Sequence, residues 1–154
     1  MMAVLPDRRR TKQVPSSAAG PQRPGGHVSS LPDSNRVTLS VPARTEYLQL
    51  LRLNVAAMAG AAFDVDEIED LKIAVEELAA VLISGAEGEA ELHLTLTMTD
   101  HAFTVSGTRR IDAPQPLELE DFLATILEAV VDRYNLATVE SETRFEFEKH
   151  LRGD

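Results

Sequence analysis

The chain contains no cysteine among its 154 residues. Disulfide bonds and thiolate metal sites are therefore excluded, and a reducing compartment suits this composition. No apolar run approaches the roughly 20 residues that a membrane-spanning helix needs. The N-terminal residues form no continuous apolar segment of the kind that secretory signals carry. We therefore expect a cytoplasmic protein that does not bind a membrane.

Positive charge is scarce outside the first 36 residues. The formal net charge is −10. Residues 1–36 carry six Arg or Lys against two Asp, which is +4, so the remainder of the chain carries −14. An acidic body disfavours direct binding of nucleic acid, because the nucleic-acid backbone is itself negative. It favours docking on a basic protein partner.

Residues 1–35 consist largely of Pro, Gly, Ser and Arg, with few apolar residues and no periodicity. Such a segment cannot bury enough apolar surface to offset the entropy lost on ordering. We predict a disordered basic tail over residues 1–35 and one domain over residues 36–151. The run Arg8–Arg10 is interpreted either as an electrostatic arm or as a solvated tail, and the solvated tail is favoured.

The clearest helical pattern runs from Asp64 to Ser84. Its apolar residues recur at spacings of three and four, on one helix face: Ile68, Leu71, Val75, Leu78 and Leu82. Asp64 followed by Glu67 is a capping-box signature, which predicts the start of the helix. Gly85 and Gly88 predict its end.

The same helix carries one carboxylate in an apolar row. Glu77 lies one turn from both Ile73 and Val81, so a carboxylate stands within an otherwise apolar row of the helix. A charged side chain at such a position calls for a structural or functional explanation. Further acidic residues crowd the first turns: Asp66, Glu67, Glu69 and Asp70. We interpret these residues either as helix-start charges that complement the helix dipole or as an acidic docking patch, and favour the first interpretation.

Alternating apolar and polar residues predict strands over residues 37–41, 91–98, 102–106 and 144–149. Amphipathic patterns predict helices over residues 44–59 and 120–135, with Leu50 on the apolar face of the first and Phe122 and Tyr134 on that of the second. Residues 107–118 contain two prolines and are typical of a loop. The order β-α-α-β-β-α-β predicts an α+β fold, a two-layer sandwich with helices on one face of a mostly antiparallel sheet.

This order, together with particular residues, resembles the bacterial anti-sigma factor and serine-protein kinase family, a branch of the histidine-kinase-like (GHKL) ATPases. The matching residues are 41–44 at the end of the first strand, Leu51-Arg52 on the first helix and 70–77 on the second. The resemblance covers about residues 37–151. It implies the histidine-kinase-like ATPase fold, a homodimer, and a sigma factor and an anti-anti-sigma factor as partners.

The resemblance also implies roles for two residues. Glu77 matches the family's general base, and Arg52 matches an arginine that contacts the sigma factor and the anti-anti-sigma protein. In the family an asparagine one turn after the base helps to hold magnesium, whereas this chain has Val81, which offers no oxygen to a hard cation. The alternatives are a vestigial helix glutamate for Glu77, and a surface arginine paired with a neighbouring carboxylate for Arg52.

Other parts of the family's nucleotide site are missing from the sequence. The family's Asp-x-Gly-x-Gly turn, whose aspartate reads adenine, is replaced by residues 105–109, with no aspartate before Asp112. From Thr108 to Asp154 the single glycine is Gly153, so no glycine-rich lid over phosphates can be drawn. We therefore expect a degenerate nucleotide site without a firmly assigned cofactor, and weak binding of ATP and magnesium stays open.

No metal site is expected from the four histidines. They are scattered over the tail, a strand, a turn and the C-terminal segment without ligand spacing: His27, His93, His101 and His150. The sequence also contains no Gly-x-Ser-x-Gly motif and no phosphate-binding loop signature.

Three functions fit these observations. The leading hypothesis is an anti-sigma factor that sequesters an alternative sigma factor, as in a stress response, without efficient kinase activity. The first alternative is an active serine-protein kinase that phosphorylates its anti-anti-sigma partner. The second is a pseudo-ATPase that serves as an interaction scaffold and is not an enzyme. The acidic body and the eroded chemistry favour the leading hypothesis.

Overall fold

The computed structural model describes residues 35–113 and 117–152, so the tail predicted over residues 1–35 lies outside the described residues apart from Asn35. A short 3₁₀ turn at Thr45–Tyr47 follows the first strand. The other elements, in chain order, are β1 Asn35–Pro42, α1 Leu48–Ala59, α2 Val65–Ile83, β2 Glu91–Met98, β3 Ala102–Arg110, α3 Asp121–Val130, β4 Arg133–Val139 and β5 Glu142–His150.

In the described part of the chain five strands form one antiparallel sheet in the order β1-β2-β3-β5-β4. Alternate residues of the central strands are buried, including Leu92, Leu94 and Leu96 on β2 and Phe145 and Phe147 on β5. The α2 helix contacts β2, β3 and β5 and packs against both α1 and α3. The predicted α+β fold is therefore confirmed. No helix in this part of the chain is long and apolar enough to cross a membrane.

The α2 helix is the element that the sequence predicts best. Its core face is buried as expected, with Leu71, Val75, Leu78 and Leu82 fully inaccessible to solvent and Ile68 partly buried. The capping box is present: the Glu67 amide donates to Asp64 Oδ1 at 2.8 Å, and the Asp64 amide donates to Glu67 Oε2 at 3.0 Å. Gly85 follows the helix with φ of 84°, a conformation that glycine adopts without a Cβ clash.

The helix predicted over residues 120–135 is wrong in its second part. The α3 helix ends at Val130, and Val131 is already extended, with φ of −134° and ψ of 165°. Tyr134 lies on β4 and pairs with Phe147 of β5. Residues 133–139 also alternate between polar and apolar side chains, and the backbone hydrogen bonds offered by β5 decide in favour of the strand.

The loop predicted from residue 107 is also wrong at its start, because β3 continues to Arg110. Gly107 sits opposite Phe145, and a Cβ at Gly107 would overlap the buried Phe145 ring. Arg109 is buried, and its Nε donates to the Leu82 carbonyl near the end of α2. Burial lowers the pKa of the Arg109 guanidinium. This strand extension therefore anchors the C-terminal end of α2.

Two predicted core positions are exposed instead. Leu50 on α1 is 43% exposed, and Phe122 on α3 is 74% exposed. Both residues fit an amphipathic pattern, but each lies at the border of its helix's buried face. The burial of Leu51, Val55 and Ala59 defines the α1 face that packs on the core.

The acidic residues at the start of α2 are held by local contacts. Glu67 is buried, and its Oε1 accepts a hydrogen bond from Arg152 Nε. The Asp64 amide and then Arg152 lower the pKa of the Glu67 carboxyl. Asp70 Oδ2 lies 3.5 Å from Lys149 Nζ. These contacts support the helix-start interpretation over an acidic docking patch.

We expect Gly107→Ala to lower the free energy of unfolding by about 1–3 kcal/mol, because the added methyl forces the buried Phe145 ring to move. Urea denaturation measures the change. Ser106→Ala, one residue earlier and less buried, is the matched control and should change stability by under about 0.5 kcal/mol. Equal stability of the two variants contradicts the packing account.

We expect the stabilisation from Glu67 to depend on pH. Because its folded-state pKa lies below the ordinary value of 4.5, the stabilisation is complete above that value and is lost as pH falls through the folded-state pKa. Glu67→Gln should therefore destabilise the protein at pH 7 and converge with the parent as pH falls through the folded-state pKa of Glu67. Denaturation curves across this range test it, with exposed Glu128→Gln as control. A pH-independent difference contradicts the expectation.

Candidate functional site

A groove of about 550 Å³ runs between α2 and the segment 117–126, which leads into α3. The α2 side contributes Glu77, Val81 and Ser84, and the α3 side contributes acidic and apolar side chains. Its lining includes Glu77, Val81, Glu118, Glu120, Phe122 and Ile126. The groove exists because the buried face of α2 points toward the sheet, which leaves the Glu77 row turned toward α3.

Glu77 and Val81 line this groove together, as their spacing of one helical turn requires. Glu77 is half-buried and lines the groove. Val81 places methyl groups at the position where a cation would need an oxygen ligand. The general-base role that the resemblance implies for Glu77 stays a prediction.

The groove is poorly matched to nucleotide phosphates. Among the residues that the structure describes, its lining contains three carboxylates, those of Glu77, Glu118 and Glu120, and no Lys or Arg. A phosphate group needs cationic side chains, a metal ion or converging backbone amides to offset its charge. Within residues 35–113 and 117–152, no group of three or more His, Asp or Glu side chains is arranged to hold a metal ion. The groove is therefore negative and offers no counter-charge.

The first aspartate after the hairpin is not part of this groove. Asp112 lines a separate groove of about 590 Å³, together with Arg110 and His93. Residues 105–109, which replace the family's glycine turn, lie inside β3. The structure therefore does not bring Glu77 and Asp112 together in one site.

Sequence reasoning missed Glu118, Glu120 and Phe122 as residues of the groove. Glu118 falls in the predicted loop, Glu120 is the first residue of the predicted helix, and Phe122 was assigned to a buried helix face. The sequence feature that could have indicated these residues is the segment 117–123, which mixes acidic and apolar side chains at the start of a helix. That pattern does not show which neighbouring element the segment faces, since this depends on how α3 packs on α2.

Arg52 lies on α1, on the side that faces α2. Its Nε is 3.4 Å from Glu76 Oε1, and its Nη1 donates to Gln49 Oε1 at 3.2 Å. The Arg52 side chain keeps 33% of its surface exposed. This is the geometry of a surface arginine paired with a neighbouring carboxylate, and a role in partner binding stays a prediction. Adjacent residues of α2 thus serve two surfaces: Glu76 faces Arg52, and Glu77 faces the groove.

Comparisons with known proteins agree with this architecture. No family model matches the chain. RsbW serine-protein kinases of Listeria monocytogenes serovar 1/2a and Listeria innocua serovar 6a are each 39% identical to it over 64 residues. The match covers 40% of this chain and spans 41% of the length of each relative.

A similar solved structure is that of the RsbU and RsbW domains of Rv1364c from Mycobacterium tuberculosis. It superposes with a TM-score of 0.61 at 14% sequence identity, covering 76% of this chain and 32% of that chain. At this identity the likeness concerns the fold. The chain is thus a partial homologue of the RsbW serine-protein kinases and shares its fold with the solved RsbU and RsbW structure.

Proposed function

We propose that this protein is an anti-sigma factor, which sequesters an alternative sigma factor in the bacterial cytoplasm and is released by an anti-anti-sigma partner. The observation that carries the proposal is the chemistry of the groove that holds Glu77: its described lining has three carboxylates and no Lys or Arg, which does not suit phosphate groups. The partial homology to RsbW kinases supports the class of partner. The acidic body of the protein is complementary to basic sigma regions.

The mechanism is steric. A homodimer of this chain covers the surface through which the sigma factor binds RNA polymerase, and the α1 helix takes part in the contact. Arg52 supports this assignment because Arg is favoured as an interface anchor and its side chain keeps 33% of its surface exposed. Two exposed leucines lie on the same helix, with Leu50 43% and Leu53 55% exposed, and they supply apolar area beside the arginine.

We expect Arg52→Ala to weaken sigma-factor binding at least about tenfold, since an anchor arginine is lost at the contact. Its partly exposed pair with Glu76 contributes on the order of 1 kcal/mol to folding, so the variant should stay folded. Calorimetry against each alternative sigma factor of the same cell measures the affinity. Arg144→Ala, which removes another arginine from an exposed ion pair, is the matched control and should bind normally.

Absence of binding to every sigma factor would falsify the anti-sigma proposal. Capture of other signalling proteins without a sigma factor would instead identify an interaction scaffold. Equal losses of affinity in Arg52→Ala and Arg144→Ala would remove Arg52 from the contact while leaving the sigma-factor assignment intact.

An active serine kinase is the second candidate function, and the position of Glu77 in a groove favours it. We nevertheless expect titration with ATP and magnesium to give a dissociation constant of about 1 mM or higher, because the three carboxylates repel the phosphates. Calorimetry with and without magnesium measures this affinity. Micromolar affinity, with phosphate transfer to an anti-anti-sigma protein that is lost in Glu77→Gln, would establish the kinase instead.

A further inference from the structure

We infer that the groove between α2 and α3 is a docking site for a cationic amphipathic helix of a protein partner. Such a helix carries apolar residues on one face and Lys or Arg beside them. The inference goes beyond the proposed function, because it assigns a surface and a class of ligand that do not involve Arg52 or α1.

The floor of the groove is apolar and partly open to solvent. Phe122 is 74% exposed and lies in the first turn of α3, outside the buried core. Val81, Leu123 and Ile126 line the same groove and are half-buried. A large aromatic side chain left this exposed, next to further apolar surface, is typical of a contact site for another molecule.

The rim of the groove selects the charge of the ligand. Glu118 and Glu120 are exposed, Glu77 is half-buried, and none of the three forms an ion pair with a residue in the described ranges. The other large groove is also lined by carboxylates, but Arg109 and Arg110 lie among them. Among the described lining residues, the α2–α3 groove thus has carboxylates with no cationic side chain beside them, whereas two arginines lie in the other groove. The α2–α3 groove attracts Lys and Arg and repels phosphate.

The shape of the groove indicates a helix as the ligand. Its lining comes from one face of α2 on one side and from the segment 117–126 on the other. A groove between neighbouring elements is the kind of site into which an amphipathic helix lays its apolar face. A volume of about 550 Å³ holds several side chains and not a whole helix. Apolar anchors one turn apart would thus enter the groove, while flanking basic side chains reach Glu118 and Glu120.

The test uses the full chain and a fluorescent 18-residue peptide of Leu and Lys with helical amphipathic spacing. A peptide of the same composition with a scrambled order is the control ligand. We expect the amphipathic peptide to bind at least about tenfold more tightly than the scrambled one, with affinity that falls as salt is raised. Fluorescence anisotropy measures both affinities, without requiring any sigma factor.

Two variants of this chain make the test specific. Glu118→Gln combined with Glu120→Gln should weaken peptide binding about tenfold. Phe122→Ser should weaken it by a similar factor, while the affinity keeps the salt dependence of the parent protein. Phe122 is exposed, so its substitution should leave the fold intact. The matched control combines Glu87→Gln with Glu89→Gln, which removes the same charge from the other groove and should leave affinity unchanged.

Equal binding of both peptides, or equal losses in the groove and control variants, would overturn the inference. A change of oligomeric state in Phe122→Ser would assign the groove to a second copy of this chain. Displacement of the peptide by ATP and magnesium at micromolar concentration would assign it to a nucleotide. Failure of the peptide to bind leaves the Arg52 experiment unaffected, so the two proposals fail separately.

Discussion

The packing of α2 on the sheet is the constraint on which the rest of the structure depends. Six side chains of this helix are fully buried, and the helix contacts strands β2, β3 and β5, so their burial sets the rotation of the helix about its axis. Because successive residues lie about 100° apart around a helix, this rotation also directs Glu76 and Glu77 to different surfaces. The Arg52 contact and the α2–α3 groove therefore result from one packing arrangement.

The groove combines a well-packed α2 helix with an acidic lining. The hydrophobic face of α2 is intact, whereas the oxygen ligand expected one turn after Glu77 is replaced by valine. The segment before α3 adds Glu118 and Glu120, which increases the negative charge instead of offsetting it. Such a surface suits basic protein segments, in agreement with the acidic composition of the chain beyond residue 36.

Sequence patterns predicted those helices and strands whose local sequence favours the same conformation as their contacts in the fold. The capping box at Asp64 and Glu67 and the alternation of β2 are local signals, and both appear in the structure. Prediction failed where two periodicities competed. Residues 131–135 continue the apolar spacing of α3, but β5 offers them backbone partners, and Tyr134 joins β4 opposite Phe147. Gly107 was interpreted as a loop residue, although its role is to leave room for Phe145.

The sequence by itself determined the α+β class and the limits of α2, because both follow from periodicity along the chain. It also fixed which side chains stand at positions 52, 77 and 81, and so the chemistry that each can offer. The tertiary structure decided which of these residues share a surface. Only the packing of α3 against α2 places Glu118, Glu120 and Phe122 around Glu77, more than 40 residues away in sequence. Local patterns carry no information on such contacts, since they arise from the burial of faces that the whole fold brings together.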